Sequence, residues 1–151
     1  MTSQMIKKAF PYPTPRDEQV KAIEFALKTF IESDKKFCIV EAGTGVGKSA
    51  IGLTLGRLLN QKLTLSDDYE KGSYFLTTQK VLQEQYENDF SGASGNMKSV
   101  YSSANYKCGW HKKNDCRTSM QMLRTAKKGS GFFKHCTQKC IYKSSKKDFL
   151  D

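Results

Sequence analysis

Apolar and polar residues fall in blocks along this chain, and the spacing inside each block predicts its local structure. Val20, Ile23, Leu27, Phe30 and Ile31 recur at helical intervals. Thr14 and Pro15 ahead of them make a helix start, with Thr14 as N-cap and Pro15 at the first helical position. Ser33-Asp34-Lys35-Lys36 breaks the pattern. Phe37-Cys38-Ile39-Val40 is then a short continuous apolar run, as in a parallel strand buried on both faces. Glycines follow, and a second helix is expected from Lys48 to Leu59. The polar stretch from Asn60 to Gly72 predicts a long loop, Tyr74-Phe75-Leu76-Thr77 a second strand, and Gln79 to Phe90 a helix with Leu82, Tyr86 and Phe90 on one face. Strand and helix in alternation predict a parallel α/β sheet. No internal repeat or heptad pattern is present.

Between the first strand and its helix lies Ala42-Gly43-Thr44-Gly45-Val46-Gly47-Lys48-Ser49, a P-loop with Ala in place of the leading Gly. Glycines let the backbone fold tightly, so that successive N–H groups point at phosphate oxygens, and the following helix adds the positive end of its dipole. Lys48 can reach the β and γ phosphates of ATP, and the Ser49 hydroxyl can ligate Mg2+. These eight residues are the expected nucleotide site, with Lys48 and Ser49 as its catalytic members. The motif alone leaves the enzyme class open, since kinases, GTPases, motor ATPases and helicases all carry it.

Composition sharpens this through the distribution of charge. The 151 residues carry a net charge of +10, with 38% hydrophobic and 26% charged residues. Residues 1–97 hold 12 basic and 12 acidic side chains, whereas residues 98–151 hold 13 basic and 3 acidic ones. A basic segment of this density attracts phosphate backbones. Its interleaved aromatics, Tyr101, Tyr106, Trp110, Phe132, Phe133 and Tyr142, offer faces on which bases stack. No run reaches the roughly 18 apolar residues of a membrane span, and Met1 to Phe10 lacks the apolar core of a secretory signal. An intracellular, reducing location is therefore expected, where the five cysteines serve as metal ligands or core residues and not as disulfides.

The flanking motifs narrow the class. Phe10-Pro11-Tyr12-Pro13-Thr14-Pro15-Arg16-Asp17-Glu18-Gln19 resembles the adenine-reading segment of superfamily 2 helicases, and the resemblance implies that Gln19 reads the adenine edge. A carboxamide suits that task, having both donor and acceptor. Tyr74-Phe75-Leu76-Thr77-Thr78-Gln79 is similar to the helicase motif whose threonines hold single-stranded DNA, although Thr78 reads equally well as an N-cap. Asn105-Tyr106-Lys107-Cys108 closely resembles the opening of the cluster domain in the XPD and DinG family of iron–sulphur helicases. Cys136 to Lys143, with Cys140 followed by x-Tyr, resembles its end. Ser102-Ser103-Ala104 departs from the Gly-Arg that relatives commonly show there.

What this resemblance implies is specific. The fold is an incomplete P-loop NTPase (RecA-like) α/β core, residues 1–97, followed by a small, cysteine-rich, helical and loop-built cluster domain, residues 98–151. Cys108, Cys116, Cys136 and Cys140, spaced Cys-x7-Cys-x19-Cys-x3-Cys, would hold a 4Fe–4S cluster. Zinc is the alternative, though its sites usually pair cysteines more closely. His111 and His135 are then basic-face residues, and Cys38 a core residue. The implied function is ATP-dependent, 5′ to 3′ translocation on single-stranded or forked DNA, as in DNA repair, with contacts at Thr77, Thr78 and Lys134. The other class of function is a non-catalytic, zinc-bearing nucleic-acid-binding module with a nucleotide-sensing P-loop. Asp67-Asp68-Tyr69-Glu70 lacks a preceding apolar strand, so it reads as a solvated loop and not as the acidic pair that hydrolysis requires. With no second motor domain in 151 residues, the chain is expected to be the N-terminal portion of such a helicase and inactive without the remaining C-terminal portion.

Overall fold

A computed structural model describes residues 3–33, 35–62, 72–91 and 97–150. Its α-helices are α1 (Ser3–Ala9), α2 (Asp17–Glu32), α3 (Lys48–Lys62), α4 (Lys80–Phe90), α5 (Cys116–Leu123), α6 (Gly131–Gln138) and α7 (Ile141–Leu150), with a 3-10 turn at Ser103–Asn105. The chain forms two compact units, Met1–Leu76 and Thr77–Asp151. The second unit begins before residue 97, so α4 packs with the basic segment behind it.

In the first unit three helices pack on one another. Ile6 and Phe10 meet Ile23 and Leu27 from α2 and Ile51 and Leu58 from α3 in a single core. The α1 helix was not legible in the sequence, where Met5, Ile6 and Ala9 form too short an apolar face to stand out. Arg57 on α3 ties it down by donating to the Ala9 carbonyl at 2.8 Å. The start of α2 also differs from expectation. Its N-cap is Arg16 and its first residue Asp17, so Thr14 and Pro15 precede the helix. Arg16 offers no acceptor for a cap. The side chain of Gln19 completes the turn, its Oε1 accepting from the Arg16 backbone N–H at 2.9 Å. Asp17 and Glu18 place negative charge in the first turn, where the helix dipole favours it. Ile31, counted on the apolar stripe, is exposed.

The expected parallel sheet is not formed among the described residues. Segments 37–40 and 74–77 belong to no strand, and among the described residues the one β-bridge is an isolated antiparallel pair, Lys107 with Asp115. Phe37, Ile39 and Leu76 are 86%, 90% and 95% exposed, as side chains of a strand with uncovered faces would be. An apolar run encodes the wish to be buried on both faces, but a strand exists only when a neighbour takes up its N–H and C=O groups. The segment leading to Leu76 is anchored differently. Phe75 lies along α3, where a Cβ on Gly52 would meet its ring at 3.4 Å, and Asn60 donates to Ser73 Oγ at 3.3 Å. Helix α3 thus runs past Leu59 to Lys62. The rest of the expected loop, with the acidic stretch Asp67 to Glu70, lies outside the described residues.

In the second unit α4 starts after Gln79 and buries Phe90, with Leu82 and Tyr86 half-buried, as its periodicity predicts. Gln83 donates to the Val100 carbonyl at 3.1 Å, and the Tyr101 hydroxyl donates to Glu87 at 3.1 Å. The basic segment then folds as short helices joined by tight loops. Asp115 caps α5, accepting from the Thr118 N–H at 2.7 Å, and that bond holds its carboxyl below the usual range. Ser130 caps α6 through the Phe133 N–H at 3.3 Å.

Candidate functional site

Two places collect the chemically informative residues, one in each unit. The first is the loop from Ala42 to Ser49. Gly45 and Gly47 have φ of 81° and 82°, a conformation that only glycine adopts freely. Lys48 is the first residue of α3, and its Nζ donates to the carbonyls of Ala42 and Gly43 at 3.0 and 2.9 Å, so the ammonium curls over the loop's own backbone. Ser49 lies in the first turn of α3, half-buried. Ala42, Gly43, Thr44, Gly45, Val46 and Gly47 form the turn that leads into α3.

Gln19 ties this loop to α2. It is buried, and its Nε2 donates to the Val46 carbonyl at 2.8 Å while its Oε1 accepts from Arg16. The carboxamide keeps one hydrogen and one lone pair beyond these bonds, enough to meet one further donor–acceptor edge. Gly47 is fitted to it, since a Cβ there would stand 2.5 Å from Gln19 Nε2. Gly47→Ala therefore meets both the positive φ and the Gln19 amide. It is expected to lower the stability of the first unit by about 1–2 kcal/mol on denaturant titration. Gln19→Ala should relieve the steric part, leaving a non-additive pair in a double-mutant cycle.

The second place is a small pocket in the basic unit, bordered by Cys108, Cys116, Cys136 and Cys140. Local backbone bonds position the first two thiols. The Cys108 N–H donates to the Asn114 carbonyl at 3.0 Å and the Cys116 N–H to the Tyr106 carbonyl at 2.7 Å, pinching the loop between them. Cys136 lies on α6 and Cys140 at the turn into α7, where Ser144 N–H donates back to its carbonyl at 2.9 Å. Cys116 and Cys140 have their sulphurs 3.6 Å apart. All four cysteines are free thiols, the last three buried. Cys38 is also free, half-buried in the first unit.

Electrostatics differs among the four. For Cys108, burial raises the pKa. The Ser119 hydroxyl and the backbone N–H groups of His111 and Trp110 outweigh it and bring the pKa below the ordinary thiol value. His111 N–H donates to the Cys108 sulphur at 3.3 Å. Burial, the Cys140 hydrogen bond and the charges of the other three push Cys116 up to about 12. Cys136 is also raised, first by burial and then by Cys140 and Cys108, against the lowering pull of Lys143. Thiols this close in a buried pocket oppose each other's ionisation, so a set of four thiolates there requires positive charge inside it.

Ser119, which the sequence did not single out, also borders the pocket. It stands one turn after Cys116 on α5, and its Oγ is buried without a hydrogen bond of good geometry, near enough to Cys108 to favour the thiolate. The i, i+3 spacing from Cys116 was the available signal. Among the described residues no three His, Cys, Asp or Glu side chains converge as they would around one metal ion.

The expected DNA contacts lie at surfaces. Thr77 is half-buried, its Oγ1 accepting from the Gln79 N–H at 3.3 Å ahead of α4, while Thr78 is exposed and does not cap the helix. Lys134 is exposed on α6. The thiol order yields a further prediction. In metal-free protein, alkylation should reach Cys108 before Cys116 and Cys136. A lowered pKa supplies thiolate at lower pH, whereas Cys116 stays protonated until about pH 12. Peptide mapping after brief exposure to iodoacetamide across a pH series checks this.

No helix of the described residues is long and apolar enough to cross a membrane. No curated protein and no solved structure matches the chain. A family model does, that of the Type III restriction enzyme, res subunit, over residues 12–148. That span takes in α2, the P-loop, α4 and all four pocket cysteines, and it describes the N-terminal, helicase-like region of superfamily 2 helicases. The chain therefore belongs to this family, as a P-loop, nucleotide-binding domain of helicase and ATPase type.

Proposed function

We propose that this chain is the ATP-binding front portion of an iron–sulphur DNA helicase similar to the XPD and DinG enzymes, acting inside the cell on single-stranded or forked DNA. Supporting this reading above all is that Cys108, Cys116, Cys136 and Cys140 border one pocket in a basic segment that follows a superfamily 2 P-loop. Four sulphur donors with no carboxylate among them suit iron–sulphur ligation. Zinc sites usually pair their cysteines more closely than the Cys-x7-Cys and Cys-x19-Cys spacings of this chain. The cluster would supply the positive charge that four neighbouring thiolates require, and would cross-link helices too short to bury much apolar surface.

In the first unit, Ala42 to Gly47 would wrap the phosphates of ATP with backbone N–H groups. Lys48 would leave the Ala42 and Gly43 carbonyls for the β and γ phosphates, and Ser49 would hold Mg2+. Gln19 would offer its remaining hydrogen and lone pair to the adenine edge while keeping Val46 in place. Thr77, Thr78 and Lys134 would contact the phosphodiester backbone, and translocation would run 5′ to 3′ as the resemblance implies.

Metal analysis of protein purified without oxygen tests the cluster. About four irons per chain with broad visible absorption is the expected result. A colourless protein with about one zinc would turn the function toward a nucleic-acid-binding module. Lys48→Ala should weaken ATP binding by about tenfold to a hundredfold, read by calorimetry, and leave the iron content unchanged. Loss of neither ATP affinity nor its magnesium dependence would overturn the role given to the P-loop.

A further inference from the structure

Beside the cysteine pocket stands an aromatic group that the helicase reading does not use. Trp110, the single tryptophan of the chain, is 48% exposed. Its ring rests against α6, with centroids 6.4 Å from Phe132 and 5.7 Å from His135, and His111 closes on Phe132 edge-on at 4.7 Å. The seat is built for it. A Cβ on Gly131 would stand 2.8 Å from the Trp110 ring, and one on Gly109 would stand 2.9 Å from His135 Nε2. Both glycines permit the loop to lie flat on the helix.

The tyrosines of this segment are engaged elsewhere. Tyr101 bonds Glu87, and Tyr106 packs on Tyr142 with centroids 5.4 Å apart. Among the described residues of the basic segment, Trp110 is the large aromatic side chain left projecting into solvent. Its surroundings are cationic. Lys112 and Lys113 form the tip of the turn closed by the Asn114 N–H on the His111 carbonyl at 2.8 Å, and Lys134 is exposed one residue before His135. From residue 98 to 147 the one acidic residue is Asp115, and its carboxylate is spent on the α5 cap.

We infer that Trp110, held on α6 by Phe132 and His135, is a stacking platform for an unpaired base of single-stranded nucleic acid, with Lys112, Lys113 and Lys134 holding the flanking phosphates. The inference rests on the nucleic-acid part of the function proposed above and is independent of which metal the cysteines bind. A half-exposed indole seated on α6 supplies a flat face to any base, and the lysines supply the attraction that a face alone lacks. The occupant is single-stranded, because bases in a duplex keep their faces against one another.

The test compares an oligodeoxythymidylate with heparin, a polyanion that has no bases, on the full chain with its metal in place. Trp110→Leu keeps apolar bulk over α6 and removes the flat ring. It should weaken oligonucleotide binding by about tenfold and leave heparin binding and metal content unchanged, while Trp110→Phe restores most of the affinity. Equal oligonucleotide affinity in Trp110→Leu and wild type overturns the platform, as does an equal loss toward heparin. An oligonucleotide carrying iodinated deoxyuridine, irradiated with the unsubstituted protein, should cross-link to Trp110, and this needs no variant to fold. Cross-links confined to other residues overturn the assignment. A wild-type chain that binds neither polyanion overturns the nucleic-acid reading beneath it, which is distinguishable from failure of the platform alone.

Discussion

Two backbone hydrogen bonds govern the arrangement of the second unit, Cys116 N–H to the Tyr106 carbonyl and Cys108 N–H to that of Asn114. They close the loop from residue 107 to 115 into a pinch. From this one constraint follow the positions of two thiols, the start of α5 at its Asp115 cap and the placement of Trp110 against α6. A segment with 13 basic residues and 3 acidic ones has strong self-repulsion and little apolar surface to offset it. Local bonds take the place of a large core, and a bound cation would convert the mutual opposition of neighbouring thiolates into cohesion.

The first unit is held by a different device. Its apolar core joins three helices, while polar side chains fix the functional loop, Lys48 from α3 and Gln19 from α2. Gln19 stands at the third position of α2 and bonds backward to Arg16 and across to Val46. The same residue therefore completes the first turn of one helix and braces the loop that leads into another. Gly47 has no side chain at the place where this amide lies, and its positive φ turns the loop into α3. Sequence resemblance points to Gln19 as an adenine reader, and its geometry adds a bracing duty compatible with that role, since an amide has more hydrogen-bonding capacity than these two bonds use.

Most helices follow the pattern in the sequence, whereas the expected sheet is not formed among the described residues, for a common reason. The periodicity of α2 and α4 describes one face of an element that satisfies its own backbone, so 16 and 11 consecutive residues suffice to form them. Phe37 to Val40 and Tyr74 to Thr77 have the composition of strands, yet a strand's hydrogen bonds belong to its neighbours, and none is present among the described residues. Helix α1 escaped notice because seven residues give too few turns for a pattern. The start of α2 shifted from Thr14 to Arg16 because a side chain within the helix, Gln19, supplied the bond that a capping oxygen would have made.

The sequence by itself determined the local and covalent facts. These are the order of glycines that makes a P-loop, the lysine and serine that follow it, the spacing of four cysteines and the concentration of positive charge behind residue 97. The family model matches the chain over residues 12–148. Tertiary structure alone decided which groups meet. It brought Cys108 and Cys116 into the company of Cys136 and Cys140 and set the burial that separates their acidities. It placed a buried Ser119 hydroxyl beside Cys108, and left one indole open while the neighbouring tyrosines were consumed. Ionisation, hydrogen bonding and exposure depend on distances between residues far apart in the chain, and spacing along a sequence does not carry those distances.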